Sequence, residues 1–474
     1  MFPLIKDILA MNPDSGELRV RGWVRTKREM KNLVFVEVND GSCLANLQCT
    51  FDGIPVPAGL STGASVEITG RLVASPAQGQ TVELAASALR VVGGAPAEDV
   101  PADGAAGNGG TGNAVRAYPL QKKRHSLEFL REMPHLRGRT NTIGAVMRVR
   151  SALAFAVHSF FRERGFLYLH TPIITGNDAE GAGAMFRVTA QGPAETAKAA
   201  KDGAETAAEF FGRESFLTVS GQLEAETYAT ALSRVYSFGP TFRAEHSNTA
   251  RHLAEFWMIE PEAAFFTLSD NMALAEAFLK YLFSAVLEEC GNDLCFFDTR
   301  VEKGIIDNLK SVIDSRFTHM TYTRAVAELE KANQSFEYKP YWGCDMQSEH
   351  EKYLTEKVAG GPVIVTDYPR EIKAFYMKQN GDGKTVRAMD VLVPRLGEII
   401  GGSEREDDPG VLQNRMAELG MNAESYDWYL DLRRYGSVPH SGFGLGFERL
   451  VQYVTGMANI RDVIPYPRAA GQLY

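Results

Sequence analysis

The first hundred residues alternate between apolar and polar positions in short runs that end in glycine and aspartate turns. Residues 18–26 place Val20, Gly22 and Val24 on one face, which is typical of a half-buried strand. Four further runs follow, and they read LVFVEV, CLANLQCTF, ASVEITGRLV and TVELAASALRVV. Five short strands separated by such turns predict a small closed β-barrel.

The composition changes after the last of these runs. Residues 93–118 are rich in Gly, Ala, Pro and Asp and contain little that a core could bury, so they predict a flexible linker. We therefore divide the chain into a barrel domain at 1–95, a linker or hinge at 96–119 and a larger domain at 120–474.

The larger domain mixes helical and strand patterns, which predicts the α+β class. Residues 140–165 and 268–290 have the pattern of long helices. The predicted strands include FLYLHTPII, SFLTVS, VYSFGPTF and EFWMIEPEA, and the chain closes with VLVPRLGEIIGGSERE and HSGFGLGFERLVQYVTG. Residues 191–213 are rich in Ala, Lys and Glu and predict an exposed helical insertion.

Composition excludes several classes of protein. The 474 residues are 45% hydrophobic, which excludes global disorder, and the net charge of −9 argues against charge-driven coating of nucleic acid. The five cysteines form no CxxC pair, so neither a disulfide framework nor a zinc site is expected. The N-terminal residues do not resemble a signal peptide, and no uncharged run approaches the roughly 20 residues that span a bilayer. We expect a cytoplasmic protein that does not enter a membrane.

Basic residues cluster on the first predicted strand. They are Arg19, Arg21, Arg25, Lys27, Arg28 and Lys31, with only Glu29 opposing them in that stretch. Phe35 and Gln48 follow on the next two strands. Small barrels can bind single-stranded nucleic acid by stacking bases on aromatic side chains within a positive groove. The alternative is a solvated strand face with Phe35 in the core.

Residues 239–256 predict two strands joined by a polar loop, with Arg243 at the end of the first strand. An arginine there can bind a phosphate through two parallel hydrogen bonds. His252 could reach a more distal phosphate, and Phe256 offers a ring for stacking. The alternative is a hairpin whose charged side chains face water.

Two further segments carry weaker signals. The run from His440 to Leu450 has the pattern GxGxGxER, which fits close backbone approach to a ligand and equally fits a packed strand–helix junction. It lacks the features of a Walker loop or a dinucleotide fingerprint. Asp390 and Glu398 are oxygen ligands of the kind that Mg²⁺ prefers, although such acids are often ordinary surface residues.

Taken together and in order, five blocks resemble the class II aminoacyl-tRNA synthetases. They read TPIITGNDAEGAGAMF, SGQLEAETYA, FRAEHSNTARHLAEFWMIEPE, GEIIGGSERE and GFGLGFERL. The likeness covers nearly the whole chain and is strongest to the asparaginyl-tRNA synthetases of the aspartate/asparagine/lysine subgroup. It implies an N-terminal OB-fold barrel before a catalytic domain, which is an antiparallel sheet flanked by helices. The block near Pro172 resembles the dimer-forming motif of the family, so a homodimer is expected.

The resemblance also implies an activity. L-asparagine and ATP would form asparaginyl-adenylate and diphosphate, and the acyl group would then pass to tRNA(Asn) with release of AMP. By this likeness Arg243 contacts the α-phosphate, Arg449 lies over the adenine and the distal phosphate, and Glu398 and Asp390 bind Mg²⁺. Arg243, Arg449 and Glu398 would be the catalytic residues, and the ATP site would consist of Arg243, Glu245, His252, Phe256, Glu398 and Arg449.

The likeness assigns two further sites. The asparagine site would consist of Glu180, Ser220, Gln222, Glu260 and Arg405. In the barrel, Arg28, Phe35 and Gln48 match the positions that read the central uridine of the anticodon. Where aspartate enzymes carry a lysine three residues beyond the equivalent of Gln222, this chain has Ala225. Where they carry an aspartate it has Glu260, a combination that favours a carboxamide over a carboxylate.

Three positions depart from the asparaginyl pattern. The chain reads SGQLEAE and FRAEH where SGQLNGE and FRAEN are usual, so Glu224, Ala225 and His246 are atypical. Two alternatives therefore stay open. One is an aspartyl-tRNA synthetase that does not discriminate, and the other is a paralogue that acts as an RNA-binding or regulatory module.

Overall fold

The computed structural model describes residues 2–13, 15–57, 59–76, 79–99, 116–121, 123–179, 184–192, 209–247 and 249–473. Within it the chain forms two compact units, Met1–Arg148 and Val149–Tyr474. Most of the predicted linker, residues 100–115, lies outside the described residues, and so does residues 193–208 of the predicted insertion. The domain boundaries at 95 and 119 and the helical insertion therefore stay predictions.

The first unit contains the predicted five-stranded barrel. Its strands are β1 (Glu17–Met30), β2 (Leu33–Asn39), β3 (Leu47–Asp52), β4 (Ser65–Ala74) and β5 (Val82–Gly93). The order β1-β2-β3-β5-β4 closes because β1 pairs with both β2 and β4. Alternate side chains such as Val20, Val24, Val36 and Val38 are buried inside, so the period of two read from the sequence is the period of the core. Three short helices are α1 (Ile5–Ile8), α2 (Leu127–Arg131) and α3 (Pro134–Arg137).

An eight-stranded sheet forms the centre of the second unit. The unit also contains a small second sheet. In chain order, the strands of the two sheets are β6 (Leu167–Tyr168), β7 (Ile174–Thr175), β8 (Arg187–Val188), β9 (Ser215–Leu217), β10 (Arg234–Phe242), β11 (Glu255–Ala264), β12 (Thr318–Thr321), β13 (Val363–Pro369), β14 (Thr385–Val393), β15 (Gly397–Glu404) and β16 (His440–Gly446). The large sheet has the order β12-β13-β14-β15-β16-β11-β10-β6, and β7-β9-β8 form the small one. The predicted antiparallel sheet is confirmed, with parallel pairs at both edges, β12–β13 and β6–β10.

Helices flank this sheet, as the resemblance implied. They are α4 (Asn141–Glu163), α5 (Gln222–Leu232), α6 (Leu268–Glu289), α7 (Gly291–Arg300), α8 (Ile305–Asp314), α9 (Tyr322–Glu330), α10 (Ser348–Tyr353), α11 (Pro409–Glu418), α12 (Asp427–Arg434) and α13 (Phe447–Thr455). The two long helices occur where the apolar spacing predicts them. Phe161 of α4 stacks on Tyr236 of β10 and contacts Phe278 of α6, which fixes both helices against the sheet.

Strands β15 and β16 approach each other closely because both are rich in glycine, at positions 397, 401 and 402 in β15 and at every second residue from 442 to 446 in β16. A Cβ atom added to Gly402 would lie 2.6 Å from the Cβ of Phe443 and 2.7 Å from the backbone oxygen of Gly442. Gly401 lies opposite Gly444 in the same ladder. The middle of the sheet therefore has a face without large side chains, and a ligand can approach its backbone there.

The run FLYLHTPII differs from its prediction, since it forms two strands of two residues separated by irregular chain. Among the described residues, no helix is long and apolar enough to cross a membrane.

Candidate active site

A cleft with a free volume of about 970 Å³ opens over the glycine-rich face of β15 and β16. It brings together all six residues predicted for the ATP site, namely Arg243, Glu245, His252, Phe256, Glu398 and Arg449. These residues come from the end of β10, the following loop, β11, β15 and the first turn of α13. The cleft has a mixed polar and apolar lining, which suits a ligand with both a ring and charged groups.

Two arginines provide positive charge in this cleft. Arg243 directly follows β10, where its backbone N–H donates to the backbone oxygen of Ala254 at 3.0 Å. Its guanidinium carbon lies 5.4 Å from the centre of the Phe256 ring. Arg449 donates from Nη1 to the backbone oxygen of Glu398 at 3.0 Å and lies 3.7 Å from the Glu398 carboxylate. Both guanidinium groups are therefore held where an anionic ligand could meet them.

A second cavity, of about 670 Å³, adjoins the cleft on its polar side. The two share Arg251, His252, Glu398 and Arg449, and the second also includes Asp345, Met346, Gln347, Ser348, Glu351 and Leu396. The side chain of Arg251 donates to the hydroxyl oxygen of Ser348, which joins the loop after β10 to the start of α10. Together the cavities form an elongated site that could take a ring at one end and a chain of phosphates at the other.

Carboxylates gather around Glu398, which lines both cavities. Burial raises the pKa of Glu398, and the Asp390 carboxylate raises it further. Burial and the adjacent Glu398 likewise raise the pKa of Glu351 to about 7. A Cβ atom added to Gly401 would lie 3.1 Å from Oε1 of Glu398 and 3.5 Å from Oδ1 of Asp390. The missing side chain of Gly401 thus leaves a small space between two oxygen ligands.

This donor set fits Mg²⁺, because crowded carboxylate oxygens are the ligands it prefers and a cation would relieve their repulsion. In the described part of the chain, no group of three or more His, Cys, Asp or Glu side chains is arranged to hold a metal alone. Such a site needs ligand phosphates to complete it. The Lys373 ammonium lies 2.7 Å from Oδ2 of Asp390 and partly neutralises it.

The predicted asparagine site lies on β11 and at the start of α5. Glu260 is buried, and its carboxylate accepts hydrogen bonds from the Ser220 hydroxyl, from the Gly221 backbone N–H at 3.1 Å and from the Ser237 hydroxyl at 3.1 Å. Burial raises the pKa of Glu260, and these hydrogen bonds partly offset the effect. Glu180, the remaining acid predicted for this site, lies outside the described residues.

Arg405 is buried and donates two hydrogen bonds to the Glu262 carboxylate, from Nη2 to Oε1 at 2.5 Å and from Nε to Oε2 at 3.2 Å. Its Nη1 donates to the Ser403 hydroxyl at 2.7 Å. Burial alone would lower the pKa of Arg405, but the Glu262 and Glu226 carboxylates outweigh burial and raise it above its ordinary value. The guanidinium is therefore a fixed, permanently charged group.

Two acids beside Arg405, namely Glu262 and Glu226, were not among the residues predicted from the sequence. Glu262 has a local signal, since it lies two residues after Glu260 and hence on the same face of β11. Glu226 has no such signal, because three of the four hydrogen-bond partners of its buried carboxylate lie on α12 and β16, more than 200 residues away.

Ala225 lies in a buried apolar cluster with Ala229 and Val235. No cation reaches the pocket from this position. A lysine placed there would have to extend out of that cluster, so an Ala225→Lys exchange would disturb packing as well as charge. The neighbouring atypical residue, Glu224, is half-buried, and its pKa is raised by burial and by the nearby Glu260 and Glu226 carboxylates.

The barrel places its three predicted nucleic-acid residues on adjacent strands. Arg28 of β1 pairs with Phe35 of β2 in the ladder, and its guanidinium carbon lies 5.7 Å from the ring centre. Phe35 lies opposite Thr50 of β3, two residues beyond Gln48 and on the same face. Gln48 donates from Nε2 to Glu83 at 2.9 Å, so its carbonyl oxygen is the end left for a ligand. Glu83 was not among the residues predicted for the nucleic-acid site.

Part of the basic cluster is engaged elsewhere in the same unit. Arg21 forms an ion pair with Glu67 at 2.7 Å, and Arg25 donates to the backbone oxygen of Arg139 and to Asn141. Fewer basic side chains are therefore available to a ligand beside Phe35 than the number of basic residues on β1 suggests.

Comparisons with known proteins agree with this geometry. A family described as tRNA synthetases class II (D, K and N) matches residues 126–470, and one described as OB-fold nucleic acid binding domain matches residues 18–92. The asparagine–tRNA ligase of Treponema denticola is 61% identical over 99% of both chains, and that of Rhodopirellula baltica is 58% identical over 96% of this chain and 90% of its own. The crystal structure of asparaginyl-tRNA synthetase from Pyrococcus horikoshii complexed with asparaginyl-adenylate superposes with a TM-score of 0.84 at 31% identity, covering 100% of this chain and 99% of that one.

An OB-fold barrel and an antiparallel sheet with an arginine-lined cleft define a class II aminoacyl-tRNA synthetase. The chain belongs to the D, K and N group of these enzymes and, within it, to the asparaginyl-tRNA synthetases.

Proposed function

We propose that this protein ligates L-asparagine to tRNA(Asn) at the expense of ATP, through an asparaginyl-adenylate. The observation that carries the proposal is the cleft in which Arg243, Phe256 and Arg449 line the end that we assign to the nucleotide. The buried Glu260 lies on β11 two residues beyond Met258, which belongs to the lining of the same cleft. Full-length likeness to asparagine–tRNA ligases supports the same assignment.

In the first step the asparagine carboxylate attacks the α-phosphate and diphosphate leaves. Because both reactants are anions, the site must neutralise charge and hold the two in line. Arg243 is the group we assign to the α-phosphate, where its guanidinium stabilises the charge that develops in the transition state. Phe256 stacks on the adenine, Glu245 contacts the adenine edge, and Arg449 covers the opposite face. His252 binds at the distal phosphate. No side chain needs to act as a nucleophile.

Asp390 and Glu398 are the residues that would hold Mg²⁺, which supplies positive charge against the phosphates when it is bound. Their contribution without a metal is geometric, since Glu398 also positions Arg449 through its backbone oxygen. Lys373 keeps Asp390 in place through an ion pair.

Selection of asparagine over aspartate follows from charge. Glu260 is a buried acid that can accept a hydrogen bond from a carboxamide NH₂ but repels a carboxylate. Arg405 binds the side-chain oxygen, and Glu262 already neutralises it, so it offers little extra attraction to an acid. Ser220 and Gln222, with Glu180, are assigned to the α-amino end of the substrate.

The remaining assignments concern tRNA and assembly. Arg28, Phe35 and Gln48 would read a splayed anticodon base by stacking and by a hydrogen bond to its edge. Exposed apolar side chains on and after α4, among them Phe155, Ile173 and Ile174, suit a homodimer contact. All five cysteines are free thiols, which is consistent with a cytoplasmic enzyme.

Amino-acid-dependent exchange of diphosphate into ATP tests the proposal. We expect exchange with asparagine and none above background with aspartate. Exchange with both amino acids would instead indicate an enzyme that does not discriminate, and exchange with aspartate alone would contradict the assignment. Tight binding of tRNA without exchange from any amino acid would favour the regulatory alternative. The variant Glu260→Asp should raise the ratio of aspartate to asparagine use, because the shorter acid withdraws from the substrate side chain.

A further inference from the structure

A cluster of buried ionisable side chains lies beside the proposed asparagine site, with Glu226 at its centre. Glu226 is on α5 and is fully buried. Its Oε2 accepts hydrogen bonds from the Tyr429 hydroxyl at 2.7 Å, from His440 Nε2 at 2.8 Å and from Arg433 Nη2 at 3.0 Å. These donors come from α12 and β16, so they hold one edge of the carboxylate rigidly.

His440 has an oxygen acceptor at each ring nitrogen. Nδ1 lies 2.8 Å from the backbone oxygen of Val438, and Nε2 lies 2.8 Å from Glu226. An ionised carboxylate can only accept, so Nε2 is the donor in the contact with Glu226. The Arg433 guanidinium, 3.4 Å from Nε2, is the other charged group at this ring. Burial alone would raise the pKa of Glu226, but the hydrogen bond from His440 and the charge of Arg433 outweigh it and keep the carboxylate ionised.

The other carboxylate oxygen faces the residues assigned to the substrate. Oε1 of Glu226 accepts a hydrogen bond from Nε2 of Gln222 at 3.1 Å and lies 4.0 Å from Nε of Arg405. Because the NH₂ group of Gln222 is committed to Glu226, its carbonyl oxygen is the end that remains for a ligand. A carbonyl oxygen can accept a hydrogen bond from an ammonium group, whereas a flipped amide would present NH₂ to that cation.

We propose that Glu226, held by His440, Arg433 and Tyr429, is a positioning residue that orients the Gln222 amide toward the α-ammonium group of the amino-acid substrate. This inference rests on the proposed function and adds a reason why the site recognises a zwitterion. Neither residue touches the reacting atoms, so their effect should appear in substrate affinity.

Exchange kinetics of Glu226→Gln and His440→Gln test the inference, with a competitor as a second readout. Succinamate is asparagine without its amino group, so it cannot use the Gln222 carbonyl. We expect the KM for asparagine to rise roughly tenfold to hundredfold in both variants, as for the loss of a hydrogen bond to a charged group. The KM for ATP and the inhibition constant of succinamate should stay at their wild-type values.

Glu276→Gln, on α6 and outside the site, is the matched control for loss of a carboxylate. Tyr429→Phe removes a single uncharged donor to Glu226 and should raise the KM for asparagine by a smaller factor. It also keeps the test valid if Glu226→Gln fails to fold. An unchanged KM for asparagine in His440→Gln and Tyr429→Phe would overturn the inference. Equal losses of asparagine and succinamate affinity would also overturn it, because they indicate general damage to the pocket. A wild-type enzyme without asparagine-dependent exchange would instead overturn the proposed function.

Discussion

At the scale of single residues, the site depends on a few charged groups whose neighbours fix both position and charge. Arg405 is the clearest example, since Glu262 and Ser403 together occupy all three of its nitrogens. The substrate therefore meets a guanidinium that cannot move to follow a different ligand. Arg243 differs, because it lines an open cleft and can form its strongest contacts with the transition state.

Replacing Arg243 by Lys should lower the rate of asparagine-dependent diphosphate exchange by about 10²–10³-fold, with a smaller change in the KM for asparagine. Lysine keeps the charge but loses the two parallel donors that match a phosphate. Arg234→Lys, at the first residue of β10, is the control and should behave as the wild type. A reduction confined to KM would show that Arg243 acts only in ground-state binding.

Glu224 gives a prediction about stability and pH. Its pKa is raised in the folded chain, so folding favours the protonated form. The free energy of unfolding should therefore fall as the pH rises from about 4.3, the value for an unfolded glutamate, through the folded pKa. Glu224→Gln does not titrate and keeps a hydrogen-bond acceptor, so its Tm at pH 8 should exceed that of the wild type by roughly 1–3 °C.

Thermal unfolding of wild type and variant from about pH 4, close to the unfolded pKa, up to about pH 9 measures this effect. The difference in Tm should grow with pH until Glu224 is fully ionised and then level off, and the exposed Glu288→Gln should show no such trend. A constant difference across the range would contradict the argument.

At the scale of elements, the glycines of β15 and β16 allow the close packing described above. Two positions in this ladder look alike in sequence but differ in their surroundings. A Cβ atom at Gly402 would meet the Phe443 Cβ and a backbone oxygen, whereas at Gly444 the contact is the terminal methyl of Met258, at 2.8 Å. A flexible methionine side chain can change rotamer to make room for a methyl group, whereas the backbone of a paired strand cannot move as easily.

Gly402→Ala should therefore destabilise the protein by about 1–3 kcal/mol, and Gly444→Ala should cost much less. Denaturant unfolding of the two variants compares them directly. Equal losses of stability would show that the strands can separate at either position.

Much of the fold could be predicted at this scale, because barrel strands and long amphipathic helices follow local periodicity. The six residues proposed for ATP do line one cleft, and they could be picked out because they lie in short motifs such as the run around Arg243. Their roles stay predictions. The role of Glu226 could not be assigned, because most of its hydrogen-bond partners are distant in sequence. Glu262 lies on the same face of β11 as Glu260, but its partner Arg405 is 143 residues away and was not paired with it. The prediction that FLYLHTPII forms one strand was wrong, because a continuous apolar run does not show where the chain leaves the sheet.

At the scale of the whole molecule, the two compact units carry different proposed tasks. The barrel holds the residues assigned to tRNA, and the second unit holds those assigned to ATP and asparagine. A change in the barrel should therefore affect only reactions that include tRNA.

Phe35→Ala tests this separation. Loss of one stacked base should raise the KM for tRNA in aminoacylation by roughly tenfold to hundredfold. Diphosphate exchange without tRNA should be unaffected. Met30→Ala, an exposed apolar residue on β1, is the control. A fall in tRNA-independent exchange would mean that the barrel change reaches the second unit.

The proposed homodimer leads to a separate prediction. We expect twice the chain mass of 52.1 kDa by light scattering. Phe155 is 71% exposed on α4, and Phe155→Asp should shift the protein toward the monomer, because a carboxylate cannot be buried in an apolar contact. Leu419→Asp, which alters an exposed leucine elsewhere, should leave the mass unchanged. A monomeric wild type would refute the assembly.

The order of strands in the large sheet has a consequence for biosynthesis. β16 is the last strand in the described part of the chain, yet it lies between β11 and β15 and pairs with both. A nascent polypeptide that has not yet emerged to residue 440 leaves two long edges without partners, a state that invites aggregation. The nucleotide cleft forms only when that strand is inserted, so premature termination upstream of it should yield material that requires chaperones and cannot activate any amino acid.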